Sequence, residues 1–527
     1  MGSLQDHWRR PRGQALFAVL LLVALSLAQY AGSLGNAFIW DAKDVFLNDP
    51  SIRESGHLAD YFTGGMFSTV GMQGERFAYL DYYRPLVKLL HRAEFAAFGE
   101  DPVGYNAVNI VLNASVVAAA FFVVRALTGN PLLALAACAL YAVNPSRVEA
   151  VSWAYSDSYL LFSLFSLLAL LAWHQRRLLP ALGAYGLALL SQESAVLLPL
   201  VLGLDQWLVR GDRRPRDYLP LLVFVALTVG FLLLRTAAVG PTPLTELGPL
   251  TLLNGSVHIL TESVRAFFVP QSGVSIYHYR PGMFAALTPG LVANYVFAAG
   301  LLALGVWLWR RHRAELFWYL WFFVWMAVIF NLGQYAEYYF MDKILYLGAL
   351  GFCVLLARLL LAGPVPKRLG VGLLTALLLA HFGTTLWRSG FYVDEERYFT
   401  AAARTAPDFA LVQYALGSLY RERGELERAR RAFARTAQLD PGHSFAWNNL
   451  GNIHFLQGDD RRAVAAWQHA IEADPQNPQP YYNVGIGLER LGRQREALRY
   501  YRRYLALEPQ LPAAAVIHIQ RLEGVAQ

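Results

Sequence analysis

The chain has 527 residues; 56% are hydrophobic, 14% aromatic and only 16% charged, with a mean hydropathy of +0.32 and a net charge of +7. Against the roughly 25% charged residues of an ordinary soluble domain, this excludes a disordered chain and a highly charged scaffold, and argues against a single soluble enzyme. The basic residues gather in short loops beside apolar runs, so they read as membrane-orientation signals and not as a nucleic-acid surface. Cys138 and Cys353 both sit inside apolar runs and imply no disulfide framework.

Apolar runs long enough to cross about 30 Å of hydrocarbon predict eleven spans: 14–33, 105–124, 131–144, 158–174, 178–191, 194–209, 218–236, 286–309, 316–332, 341–361 and 369–388. Residues 1–33 have the layout of a signal peptide, with Arg9, Arg10 and Arg12 ahead of the apolar run. That run is long and further spans follow, so a retained first span is expected. If short loops rich in Arg and Lys face the cytoplasm, six basic clusters fall on one side: Arg9/Arg10/Arg12, Arg125, Arg176/Arg177, Arg210/Arg213/Arg214/Arg216, Arg310/Arg311/Arg313 and Lys367/Arg368. The condition is that 251–269, apolar but carrying His258, Glu262 and Arg265, re-enters or lies in the interface. The first outer loop (34–104), residues 144–155, 191–193, 237–283 and 331–343, and the C-terminal tail then share the opposite face. A protein that gathers its large loops on one face is expected to work there. Composition suggests a bacterial inner membrane, with the site and tail facing the periplasm or exterior.

The expected division is a membrane domain over 1–390 and an all-α soluble domain over 391–527. The tail has a period of 34 residues: Gly417, Gly451 and Gly485; Ala429, Ala463 and Ala497; Pro441, Pro475 and Pro509; and the large residues Phe433, Trp467 and Tyr501. This is the tetratricopeptide signature, with repeats near 410–443, 444–477 and 478–511. Small residues let the two helices of a hairpin approach closely, and the proline ends the second. The stack is an α-solenoid whose concave face takes a peptide or protein, unless it is a passive cap or dimerisation module.

The first outer loop opens with Phe38-Ile39-Trp40-Asp41-Ala42-Lys43-Asp44. Two carboxylates beside a Trp at the membrane surface suit acid–base chemistry, because partial shielding from water raises a carboxylate pKa into a useful range. The plainer reading is that Asp41 starts a solvated loop. Tyr82-Tyr83-Arg84-Pro85-Leu86 opens an amphipathic stretch to about Phe98. There Arg84 and Lys88 either hold a lipid phosphate or merely snorkel. Arg147 and Glu149 border a short span and are candidates to pair with each other. Glu193 lies near membrane depth, as do Asp342 and Lys343 at the mouth of the tenth span, and ionisable groups there are costly. No metal constellation or cysteine motif is visible, and no glycine-rich phosphate loop, so no cofactor is required and a nucleotide is not the expected donor; a divalent metal stays open.

In order, FIWDAKDVFLNDPSIR, YYRPL, NPSRVEAVSW, LLSQESAVLLPL and MDKILYL resemble segments of the transmembrane and tetratricopeptide-repeat O-mannosyltransferases and their bacterial relatives, within the GT-C superfamily of lipid-sugar-dependent transferases. The resemblance covers nearly the whole chain. It departs at Ala42, where the family often has a second adjacent acid; at Ser156-Asp157-Ser158-Tyr159 in place of Gly-Arg-x-Asp; at Gln192 in place of Lys; and at Lys343-Ile344 in place of Arg-Tyr. These departures bear on the sugar more than on the reaction class.

The resemblance implies a polyprenyl-phosphate-linked sugar as donor and the hydroxyl of an exported polypeptide, delivered by the repeats, as acceptor, with inversion at the anomeric carbon. It points to Asp41 as the base, with Asp44 as the second candidate. Cations such as Arg84, Arg265 or Lys343 would steady the leaving phosphate, and Lys88, Arg147, Glu149, Glu193 and Asp342 complete the expected substrate-binding set. Two alternatives remain at this point. One is a GT-C transferase acting on a glycolipid or envelope glycan. The other is a non-catalytic membrane assembly factor with a protein-binding repeat domain.

Overall fold

The computed structural model describes residues 11–54, 56, 58–66, 82–241, 248–268, 274, 276–279, 284–327 and 338–508. Arg9, Arg10, Pro509 and the 331–337 part of the late outer loop lie outside them. The chain divides into two compact units, residues 1–398 and 399–527.

The first unit is built on fourteen labelled helices. They are α1 (Pro11–Tyr30), α2 (Pro85–Phe98), α3 (Pro102–Thr128), α4 (Pro131–Val143), α5 (Val148–Ser152), α6 (Asp157–His174), α7 (Leu178–Ser191), α8 (Leu198–Leu204), α9 (Leu221–Val239), α10 (Pro249–Phe268), α11 (Pro289–Arg311), α12 (Arg313–Met326), α13 (Leu345–Ala362) and α14 (Lys367–Ser389). Proline opens α3, α4 and α11, where its missing N–H has no helical partner to lose. The preceding Asp101, Asn130 and Thr288 cap these helices with side-chain oxygens.

Among the described residues, seven helical segments are long and apolar enough to cross a membrane: Gly13–Gly35, Pro102–Thr128, Ala154–His174, Pro215–Val239, Pro289–Arg311, Asp342–Ala362 and Lys367–Tyr392. Pro131–Val143 with Pro145–Ser152, bent by 55°, makes an eighth if the pair is counted as one span. The protein is therefore a multi-pass helical membrane protein, but its expected eleven spans are not eleven long helices. Pro145 bends the third, and Asn144 caps the turn that restarts it. The expected span 178–191 is the 14-residue α7. Residues 194–209 break into a 3-10 turn, the short α8 and a wider turn. In the region of 316–332 the described helix ends at Met326. The amphipathic α10 is not among the candidate spans.

Burial separates the helices. Asp342–Ala362 and Ala154–His174 are each 67% buried over their apolar windows, whereas Pro215–Val239 and Pro289–Arg311 are 11% buried. The latter expose Leu222, Leu233, Val296 and Leu302, a surface that only hydrocarbon suits. Inside, α3 packs on α1, α4 and α6, and α13 packs on α4 and α12. A Cβ on Gly351 of α13 would meet the Trp318 carbonyl oxygen at 2.3 Å, so glycine is what lets α12 and α13 touch backbone to backbone. A two-stranded antiparallel ribbon, β1 (Ile276–Tyr279) with β2 (Tyr338–Met341), pairs Ile276 with Met341.

After α15 (Glu395–Thr405) come three helical hairpins: α16 (Ala410–Glu422) with α17 (Leu426–Leu439), α18 (Ser444–Leu456) with α19 (Asp460–Ala473), and α20 (Pro478–Arg490) with α21 (Gln494–Leu507). A Cβ on Gly417, Gly451 or Gly485 would fall 2.7, 2.5 or 2.3 Å from the ring of Phe433, Trp467 or Tyr501. The glycine and aromatic columns of the sequence are thus one contact, repeated three times. A further column, Gly424, Gly458 and Gly492, takes φ of 74°, 79° and 76° at the turn between paired helices, where glycine carries no steric penalty.

Candidate active site

The site is built from helix ends and the loops that join them. On α3, Asn106, Asn109 and Asn113 recur at helical spacing on one buried face. Asn106 donates to the carbonyls of Leu34 and Asn36, and Asn109 to those of Trp153 and Ala154. Asn36 donates to the Ser152 carbonyl at 3.0 Å. One stripe of amides therefore fixes the loop after α1 against the loop after α5, and buried backbone carbonyls gain the partners they require.

Trp40 lies in that first loop with φ of +51°, a left-handed conformation that is strained for a bulky residue. The surroundings hold it there: its N–H donates to Glu395 Oε1 at 3.1 Å, and its ring stacks on Trp153 at 5.9 Å and 14°. The Trp153 indole N–H donates to the Ile39 carbonyl. Asp41 follows directly, half-buried, as the first residue of a single helical turn capped by Trp40. Backbone strain next to a carboxylate is typical of functional sites.

Lys343 is the neighbour of this turn. Its ammonium lies 4.0 Å from the Trp153 ring centroid and 3.6 Å from Glu149 Oε1, and it is close enough to Asp41 for their charges to interact. Its backbone N–H donates to the other Glu149 oxygen at 3.3 Å. Glu149 does not pair with Arg147 as expected. Arg147 is fully buried, donates to the Tyr141 carbonyl, to Asn113 and to Tyr346, and lies against the faces of Tyr141 and Tyr346. Asp342 pairs with Arg388 at the end of α14 at 2.6 Å, buried on both sides. Arg147 and Glu149, two residues apart, and the adjacent Asp342 and Lys343 all lie on helical turns, where residues one or two apart do not face the same way, so each reaches a different partner.

Arg84 and Glu193, expected separately, form one ion pair: Arg84 Nε to Glu193 Oε2 is 3.0 Å, and Glu193 also accepts the Tyr83 N–H. Lys88 is buried at 2% exposure near the face of Tyr61, so it is not the surface cation the sequence suggested. Arg265 pairs with Glu262 one turn back on α10 and stands half-exposed. Asp44 does not pair with Lys43 or Arg53, as a wet loop acid would. Lys43 binds Glu395, and Arg53 binds Glu100. Asp44 accepts from Asn48, and partial burial pushes its carboxyl above the ordinary aspartate value.

Sequence reading missed three features. Arg388 was visible only as a lone cation at the end of an apolar run. Glu395, which holds both Trp40 and Lys43, lies far along the chain. The third feature overturns the absence of a His/Asp cluster: His91, Glu94 and Asp157 meet in the interior with one ligand-type atom each within 4.8 Å of the others. Burial, with the Asp157 charge adding to it, pushes the Glu94 carboxyl up to about 10.

The arrangement places a half-shielded acid, a cation and an aromatic pair at the ends of apolar helices. It can take a proton, balance an anion and stack on a ring-shaped group.

The family model for the tetratricopeptide repeat matches residues 382–444, 414–478 and 448–515. A protein O-mannosyl-transferase of Caenorhabditis elegans is 23% identical over 459 residues, covering 82% of this chain and 64% of that protein. One of Drosophila melanogaster is 29% identical over 37% of this chain and 23% of its own length, and one of Mus musculus 31% identical over 29% and 16%. The chain thus spans less than two thirds of the length of these relatives. Among solved structures, an oligosaccharyltransferase of Archaeoglobus fulgidus in its apo form aligns with 72% of this chain and 56% of its own at 12% identity and a TM-score of 0.37. The chain is a multi-pass membrane protein with tetratricopeptide repeats over residues 382–515, and over four-fifths of its length its similarity is to the protein O-mannosyl-transferases.

Proposed function

We propose that the protein is a membrane glycosyltransferase of GT-C type that moves a sugar from a polyprenyl-phosphate carrier to hydroxyl groups of an exported protein, with inversion. The observation that supports this reading is the strained turn at Trp40: Asp41 follows it directly, the charges of Asp41 and Lys343 interact, and Trp40 stacks on Trp153, the ring that Lys343 also faces. The protein O-mannosyl-transferase relatives support the reaction class.

Asp41 takes the proton of the acceptor hydroxyl as it attacks the anomeric carbon, opposite the phosphate, so the C–O bond to the phosphate breaks as the new one forms. The phosphate leaves as an anion. Lys343 balances it, and Arg84, held by Glu193, lies at the outer end of a neighbouring helix where a carrier headgroup would sit. Glu149 keeps Lys343 in place, while Asp342–Arg388 and Arg147 fix the helix ends around it. Stabilisation of this kind acts where charge develops and in a water-poor site counts for more than in bulk. Residues 1–390 are the catalytic domain and 391–527 the module that presents the acceptor polypeptide, both working at the periplasmic or exterior face of a bacterial inner membrane.

Two measurements in the host test this reading. A reporter fused after Gln527 should be active only outside the cytoplasm. Mass comparison of exported proteins with and without the chain should show hexose-sized additions on Ser or Thr that depend on it. Cytoplasmic reporter activity, or an unchanged set of exported glycoproteins, would refute it.

A further inference from the structure

His91 and Glu94 stand three residues apart on α2, so both side chains leave the same face of the helix. Asp157 is the first residue of α6. His91 Nε2 lies 2.8 Å from Asp157 Oδ2, and His91, Glu94 and Asp157 are 0%, 3% and 0% exposed. Phe46, from the turn after Asp44, packs edge-on against the imidazole at 4.7 Å, and Tyr155 lies at 5.8 Å.

The polar atoms of this cluster are unusually poorly served. His91 Nε2 and Asp157 Oδ2 have only each other, and His91 Nδ1, Glu94 Oε2 and Asp157 Oδ1 are buried without a hydrogen-bond partner among the described residues. Among the described residues no Lys or Arg forms an ion pair with either acid. Two ionised carboxylates buried beside one imidazole would cost several kcal/mol, so without an ion Glu94 keeps its proton. An ion that displaces that proton meets two carboxylates and a neutral imidazole, a charge of −2 that one divalent cation cancels.

The donor set narrows the cation. Magnesium and calcium prefer all-oxygen shells, whereas one imidazole nitrogen with two carboxylates suits zinc or manganese. Zinc takes such ligands at about 2.0–2.2 Å in a tetrahedral arrangement, which sets donor atoms roughly 3.4 Å apart. The donor atoms lie within 4.8 Å of one another, and side-chain rotations that bring the widest pair together by about 1.4 Å reach that spacing.

We propose that His91, Glu94 and Asp157 bind one divalent ion of the zinc–manganese class. The ion clips α2 to the start of α6 and, through Phe46 on the His91 ring, braces the turn that carries Asp41 and Asp44. The site is independent of the glycosyl-transfer reading, and the ion takes no step in the reaction.

The test uses the full chain purified in detergent. Elemental analysis should find about one zinc or manganese per chain. After chelation, cobalt(II) should restore one equivalent with visible d–d absorption. Chelation of the wild-type protein should lower its Tm, and added zinc should restore it, a comparison that needs no variant. His91→Ala and Asp157→Asn should lose the ion, and Glu94→Gln should weaken cobalt binding tenfold or more while eluting as a folded monodisperse species. Absence of stoichiometric metal, with no cobalt spectrum and a Tm indifferent to chelator and zinc, would overturn the proposal. So would full metal content in His91→Ala and Asp157→Asn, because the ion would then reside elsewhere.

Discussion

The Lys343 ammonium lies 4.0 Å from the centroid of the Trp153 ring, and Trp153 in turn stacks on Trp40, the residue before Asp41. A cation over an indole face is attracted by the ring's electron density, so one aromatic pair positions both the acid and the cation of the proposed site. The two arrive from loops far apart in sequence, and the contact between their aromatic neighbours sets their separation.

If Lys343 balances the carrier phosphate, Lys343→Met should weaken donor binding while acceptor binding is kept. A hydrogen bond to a charged group is worth about 1.5–3 kcal/mol, or roughly tenfold to a hundredfold in affinity. Arg84→Gln should act in the same direction. Titration with a short-chain polyprenyl-phosphate sugar reads this directly, and unchanged affinity in both variants removes the assignment.

The Arg388–Asp342 pair is buried on both sides. Arg388→Met leaves the Asp342 carboxylate buried without its cation and should cost about 3–5 kcal/mol. Arg388→Met combined with Asp342→Leu should recover much of that loss. Thermal unfolding in detergent separates the cases. A double variant as unstable as the single one would show that the pair is not the reason.

In the repeat unit, Gly451→Ala sets a methyl group 2.5 Å from the Trp467 ring. Overpacking of this kind costs about 1–3 kcal/mol, and circular dichroism of the full chain should show an early melting phase. An unaltered melt would mean that the hairpin opens freely.

Asp44 carries a carboxyl raised by burial. Its folded state holds the proton more tightly than the unfolded chain, so its contribution to stability is present below the ordinary aspartate pKa and is lost as pH rises through the raised value. Asp44→Asn should therefore flatten the mildly acidic part of the stability–pH curve without destabilising the protein at neutral pH. A curve that falls at neutral pH instead would mean that the Asp44 carboxylate makes a contact that the charge supports.

The repeat unit was legible almost completely, because its glycine–aromatic contacts join residues at a fixed short spacing: Gly417 to Phe433, Gly451 to Trp467 and Gly485 to Tyr501. The apolar helices were legible from hydropathy, but their breaks were not. Hydropathy averages over a window, and the bend at Pro145 or the turns around α8 are single-residue events. The ionisable residues of the candidate site were found because charge is rare in apolar surroundings. Their pairing was not found, because Glu149 with Lys343, Arg84 with Glu193 and Asp342 with Arg388 are matched by the folding of loops, for which a sequence has no period. The second column, Gly424, Gly458 and Gly492, was within reach at the same 34-residue spacing and was overlooked.

The central claim is that Asp41 is the base of a glycosyl transfer. The most direct measurement is single-turnover transfer of a labelled sugar from a polyprenyl-phosphate donor to a Ser/Thr-bearing peptide by the purified full chain, comparing wild type with Asp41→Asn and Asp44→Asn. A general base contributes about 10²–10⁴-fold. Asp41→Asn should therefore lower turnover by that order with donor binding intact, and Asp44→Asn should lower it much less. The reverse ranking would move the base to Asp44. No transfer by the folded wild-type protein, or equal small effects in both variants, would contradict the account.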